Sequence, residues 1–122
     1  MERILIVDDN REFGELLGQW FQQWSIPTVV VTTVADAKKA ILEQEPFRMV
    51  ICDFQLPDGN GLEFFTWLRW DRQNPVRFLM ISGSTNFVRY GQADFGFLRK
   101  PFQLEELRSA VENLLGVRLG KL

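Results

Sequence analysis

A parallel α/β sheet with helices on both faces is the fold this sequence predicts. Three observations predict it. Short runs such as Ile4-Leu5-Ile6-Val7 and Met49-Val50-Ile51-Cys52 are apolar at every position, as strands covered on both faces are. Between such runs lie segments whose apolar residues recur at three- and four-residue spacing, the mark of helices with one buried stripe. Strands and helices alternate throughout the 122 residues, which at 46% apolar content suffice for a single domain spanning 1–122 with a real core.

The elements follow in order. Arg3 to Val7 is the first strand and stops at Asp8-Asp9-Asn10, where Asn10 or Asp9 is suited to cap the next helix. In that helix Phe13, Leu16, Leu17, Trp20, Phe21 and Trp24 form one inward stripe, and Ser25-Ile26-Pro27 ends it. Thr28 to Thr32, rich in Val and Thr, is the second strand. Ala35 to Glu45 is a helix with Ala37, Ala40 and Ile41 inward and Lys38, Lys39 and Glu43 in solvent, closed by Pro46. The third strand ends on Asp53, and Leu56-Pro57-Asp58-Gly59-Asn60-Gly61 is dense turn chemistry. Leu62 to Arg72 is helical with Leu62, Phe65 and Leu68 inward, which leaves Phe64, Trp67 and Trp70 off that stripe, either as aromatic bodies lying flat over the edge of the core or as a contact surface for a partner or a second copy. Val76 to Ile81 is the fourth strand, ending on Ser82-Gly83-Ser84, and Asp94 to Leu98 the fifth, ending on Arg99-Lys100-Pro101. Gln103 to Leu115 is the last helix, with Leu104, Leu107, Val111 and Leu114 inward.

Composition excludes several function classes. A formal charge of −2, from 14 basic and 16 acidic residues, argues against direct nucleic-acid binding. Cys52 is the single cysteine and falls in a buried strand, so no disulfide framework or zinc spacing exists and a reducing compartment is expected. The chain opens on Met-Glu-Arg and a strand-like run, and no stretch approaches a membrane span, so the expected location is the cytoplasm. Without any histidine, His-dependent metal sites and Ser-His or Cys-His nucleophiles are excluded, and so is a histidine phosphodonor within the chain.

In a parallel sheet all strand tips share one edge, where open α/β sheets bind their ligands. Four tips here carry Asp8-Asp9, Asp53, Ser82, and Lys100 before Pro101. Three carboxylates gathered there would repel one another unless a cation sat among them, and oxygen ligands favour Mg²⁺. Lys100 and Ser82 supply a positive charge and a hydroxyl for the oxygens of a phosphoryl group, leaving Asp53 as a nucleophile that forms an acyl phosphate.

These residues resemble the receiver domains of two-component response regulators over essentially the whole chain. The resemblance implies a flavodoxin-like doubly wound five-stranded sheet of order 2-1-3-4-5. It implies Mg²⁺ held by Asp9 with Asp8 supporting, by Asp53 and by the backbone carbonyl of Gln55. Asp53 is then the phosphoacceptor, served by a sensor histidine kinase or phosphotransfer protein, and the protein a phosphoacceptor regulator rather than an enzyme. Ser82 corresponds to the switch hydroxyl, Lys100-Pro101 to the family's Lys and its usually cis-linked Pro, and Phe97 to the switch aromatic. Gln55 and Ser84 fall where the family tunes dephosphorylation, and a downstream effector or homodimer is implied.

Three other readings compete. Acid-dehalogenase-like phosphatases need a second Asp two residues after the nucleophile, where Gln55 stands, with no group to protonate a leaving oxygen. A flavin or nucleotide binder would want a Gly- or Ser/Thr-rich loop in place of Asp8-Asp9-Asn10-Arg11-Glu12. A phosphorylation-independent interaction module on the same fold stays open. The chain also departs from the family, because only 18 positions separate Ser82 from Lys100. The deficit should fall on a short fourth helix around Asn86 to Gln92, ended early by Gly91 and leaning on Phe87, Val88 and Tyr90, with Ala93 where a Gly is usual and Gly96 inside the strand.

Overall fold

The computed structural model describes residues 2–44, 46–83 and 95–120. Among them the order is β1 (Arg3–Val7), α1 (Arg11–Gln22), β2 (Thr28–Val31), α2 (Val34–Gln44), β3 (Phe47–Asp53), β4 (Gln55–Leu56), β5 (Gly59–Asn60), α3 (Gly61–Thr66), β6 (Arg77–Ser82), β7 (Gly96–Arg99) and α4 (Leu104–Leu115). A π-helical turn, Trp67–Asp71, continues α3.

The sheet order is β2-β1-β3-β6-β7, every pair parallel, with β4 and β5 forming a separate antiparallel hairpin. With that hairpin set aside, this is the flavodoxin-like order. The continuous apolar runs are explained by their neighbours. Leu5, Val7, Val50, Cys52, Phe78 and Met80 point to a core shared with α2 and α3, whereas Ile4, Ile6, Met49, Ile51, Leu79 and Ile81 point to one shared with α1 and α4. Neither face can be polar, so strict alternation is absent.

Glycines set how closely helices sit on this sheet. A Cβ on Gly14 would lie 2.7 Å from Val30 Cγ1, and one on Gly61 would lie 2.6 Å from Met80 Sδ and 2.8 Å from the Asp53 carbonyl oxygen. Their lack of a side chain lets α1 lie against β2 and lets α3 begin directly on the backbone of Asp53. After α4 the chain turns at Gly116 (φ 68°), and Leu119 re-enters the α1/α4 core. Trp24 Nε1 donates to the Gly120 carbonyl at 3.0 Å, and the Leu119 amide donates to Glu112 Oε2 at 2.8 Å.

Several expectations need correction. Leu16 and Leu104, read as inward, are 60% and 53% exposed. Phe64, read as outward, is fully buried and Leu62 only half-buried, because the inward line of α3 runs through Gly61, Phe64, Phe65 and Leu68. Trp67 stacks on Phe64 at 6.0 Å and is faced by Lys38 and Arg72, so Trp70, 72% exposed, is the open aromatic of the three. The helix does not stay α to its end: the Arg72 amide donates to the Trp67 carbonyl, five residues back. The expected turn at 56–61 includes the β4–β5 hairpin, and the fifth strand starts at Gly96. Asp94, Ser84 and the proposed short helix around 86–92 lie outside the described residues.

Candidate functional site

Asp8 is delivered by the end of β1, whose last amide bond runs from Asp8 N to the Val31 carbonyl at 3.0 Å. Its Oδ1 accepts from the Asn10 amide at 2.9 Å, and Asn10 Oδ1 in turn accepts from Phe13 N at 3.1 Å. Asn10, not Asp9, therefore caps α1. Asp9 is exposed beside it.

Asp53 ends β3, the middle strand, and is buried. Its surroundings hold the loop beyond it in place. Phe54 N donates to the Ile81 carbonyl at 2.8 Å and Gly61 N to the Phe54 carbonyl at 2.7 Å, so the hairpin starts and ends on one residue. Gln55, its first residue, lines the cleft over Asp53.

Lys100 follows β7, its amide donating to the Ser82 carbonyl at 2.9 Å, and the Lys100–Pro101 peptide is cis. Its Nζ lies 3.1 Å from Asp53 Oδ2, 3.7 Å from Asp8 Oδ2 and 5.4 Å from the Phe13 ring centroid. One ammonium thus spans two acids. Each of Asp8, Asp9 and Asp53 offers a carboxylate oxygen within 4.8 Å of the others. At an effective dielectric of about 20, each like pair at such a separation repels by roughly 3 kcal/mol. Among the described residues Lys100 offsets one of the three charges, and two remain uncompensated.

Two pKa directions follow from burial, with this crowding adding to it. Burial pushes the Asp8 carboxyl up from its ordinary value, opposed by the Asn10 amide and Lys100, with the charges on Asp53 and Asp9 adding to the rise. Burial pushes the Cys52 thiol up strongly, Asp53 and Asp8 adding to it, so Cys52 is a core residue and no nucleophile. An all-oxygen donor set with two uncompensated negative charges fits a hard divalent cation such as Mg²⁺.

The structure brings Asp8, Asp9, Asp53, Gln55 and Lys100 together around one cleft of about 1130 Å³. Ser82 is buried at the end of β6, in register with Arg99 and accepting the Lys100 amide on its carbonyl, and does not line that cleft. Phe97 is half-buried on β7 opposite Met80, on the α2/α3 face of the sheet. Sequence reasoning missed the cleft's second half, an apolar flank of Phe13, Leu16, Trp20, Phe102 and Leu104.

The family model described as "Response regulator receiver domain" matches residues 4–112. The chain belongs to that family. This receiver is 32% identical over 120 residues to the response regulator protein PilR of Pseudomonas aeruginosa, covering 96% of the chain and 27% of PilR. It is 30% identical over 119 residues to the transcriptional regulatory protein GltR of the same species, covering 92% of the chain and 48% of GltR. The receiver thus spans between about a quarter and a half of these curated relatives. Among solved structures it is similar to the response regulator protein TrrA of Thermotoga maritima in complex with Mg²⁺ and BeF (25% identity, TM-score 0.81, covering 94% of this chain and 100% of that one). The non-phosphorylated HemR receiver domain of Leptospira biflexa, at 24% identity and TM-score 0.81 over the full length of both chains, shares the fold. No helix among the described residues is long and apolar enough to cross a membrane.

Proposed function

We propose that Asp53 is the phosphoacceptor of a Mg²⁺-dependent signalling switch. One observation carries the reading: a buried carboxylate at the end of the middle strand, with Lys100 Nζ at 3.1 Å and two further acids gathered around it. Asp8, Asp9 and Asp53, with the Gln55 backbone carbonyl, would hold the cation, which lowers the charge barrier between Asp53 and an incoming phosphoryl group. A carboxylate oxygen of Asp53 attacks phosphorus, the bond from phosphorus to the donor's nitrogen breaks, and Lys100 exchanges Asp53 for a phosphoryl oxygen. Ser82 follows the phosphoryl group and Phe97 moves with it. Gln55 and Ser84 set the lifetime of the acyl phosphate by controlling approach of water.

In this reading the donor is a phosphohistidine of a sensor kinase or phosphotransfer protein, and none of the 122 residues is a histidine. The flank of Phe13, Leu16, Trp20, Phe102 and Leu104 supports such docking, being apolar, partly exposed and continuous with Asp53. In this reading the receiver works in the cytoplasm and its output is a downstream effector.

Purified protein with Mg²⁺ and acetyl phosphate should gain the mass of one phosphoryl group, and Asp53→Asn should gain none. Wild-type protein left unlabelled, under conditions that label another receiver, would overturn the reading.

A further inference from the structure

The loop after Asp53 is tied at both ends, and its far end is tied to an element remote from the site. The α2 helix begins at Val34, and the amides of its first turn need acceptors that the helix cannot supply. One goes to a local group, Asp36 N donating to Thr33 Oγ1 at 3.0 Å, and the regular ladder starts only with Ala37 N on the Thr33 carbonyl at 3.0 Å. The other two cross to a different part of the chain. Val34 N donates to Asp58 Oδ1 at 2.8 Å and Ala35 N to Asp58 Oδ2 at 3.0 Å, so one carboxylate caps α2 with both oxygens from 24 residues away.

Asp58 sits in the turn between β4 and β5, in the hairpin whose first residue is Gln55. Further hydrogen bonds of this segment lie toward its base. Phe54 N reaches Ile81, Gly61 N reaches Phe54, and Asn60 and Glu63 exchange a capping box that starts α3. The tip abuts the helix start as well, since a Cβ on Gly59 would lie 3.3 Å from Val34 Cγ2. The Val34 and Ala35 amides, with the Lys38 charge adding, also hold the Asp58 carboxyl below its ordinary value.

We infer that Asp58 is a positioning residue for the Mg²⁺ site: by clamping the hairpin tip to α2 it fixes the backbone of Gln55, three residues away, where a carbonyl ligand is needed. This rests on the proposed function, in which Gln55 supplies that carbonyl. Asp58 itself touches neither cation nor phosphoryl group; it acts through the hairpin. Removing it should therefore weaken metal binding and leave the chemistry at saturating metal intact.

The test separates positioning from mere stability. Mg²⁺ affinity is measured by calorimetry, and the labelling rate with acetyl phosphate is measured across a Mg²⁺ series. The proteins are wild type, Asp58→Ala, the isosteric Asp58→Asn, and Thr33→Ala, which strips a cap from α2 without touching the hairpin. Asp58→Ala should raise the Mg²⁺ dissociation constant roughly tenfold, as loss of a group behind a ligand commonly does, with labelling at saturating Mg²⁺ within about twofold of wild type. Asp58→Asn, keeping one acceptor oxygen, should show a smaller rise even if Asp58→Ala does not fold. Thr33→Ala should melt at a lower temperature and bind Mg²⁺ as wild type does. Wild-type affinity in both Asp58 variants, or an equal loss in Thr33→Ala, would overturn the clamp while leaving the phosphoacceptor standing. Absence of saturable Mg²⁺ binding in wild type would overturn both.

Discussion

Helices α1 and α3 meet the same sheet from opposite faces, and each contradicts the simplest reading of its apolar pattern in a different direction. In α1, Leu16 looks inward by sequence and is exposed; in α3, Phe64 looks outward and is fully buried. Both reversals have one cause. The line of closest approach runs through a glycine in each helix, Gly14 over Val30 and Gly61 over Met80 and Asp53. Residues three, four and seven positions on from that glycine face the sheet, giving Leu17, Gly18 and Phe21 in α1 and Phe64, Phe65 and Leu68 in α3. Large side chains one step off the line go elsewhere. On α1 they turn toward the cleft above Asp53, whereas beyond α3 Trp67 lines a separate groove with Lys38 and Asp71 and Trp70 is exposed.

Phe64→Ala should break this comparison hardest. It removes a fully buried ring packed on Phe78 and Trp67, and should cost about 3–5 kcal/mol in urea denaturation. A loss below about 1 kcal/mol would put Phe64 back on the surface. The two helices should behave alike at their starts, since Asn10 and Asn60 both cap with a side-chain oxygen. Asn10→Ala and Asn60→Ala should each cost about 1 kcal/mol by the same measurement. The smallest effect on stability belongs to Leu16→Ala, within about 0.5 kcal/mol of wild type. That variant should nevertheless slow phosphotransfer from a cognate kinase while its labelling by acetyl phosphate stays unchanged. Equal slowing with both donors would remove Leu16 from the docking flank.

The strands and the cluster of acids were legible in the sequence because a parallel sheet forces its strand ends onto one edge. Asp8, Asp53 and Lys100 need no more than that to meet, and strand periodicity places all three. The inward lines of the helices were less legible, since three- and four-residue spacing fixes a stripe only after its centre is known. Gly14 and Gly61 mark that centre, but they carry no hydrophobicity and drop out of an apolar pattern. The π turn at Trp67–Asp71 was not legible at all. It accompanies side-chain bonds into the turn that follows, those of the Arg69 guanidinium to the Asn74 and Val76 carbonyls, which no apolar pattern announces. Asp58 is the sharpest case: among turn residues it reads as turn chemistry, and its acceptors' donors lie 24 and 23 residues earlier in the chain.

Cys52 lies one residue before Asp53, wholly enclosed, with its Sγ 3.2 Å from the Asp53 carbonyl oxygen and its thiol held in the protonated form. An alkylating reagent reaches such a sulfur only when the end of β3 comes away from its neighbours. The chain thus carries a built-in clock for the breathing of the strand end that holds its proposed phosphoacceptor. Because it is the sole thiol in the sequence, its rate of capture reads that opening with no label added and no second signal to subtract.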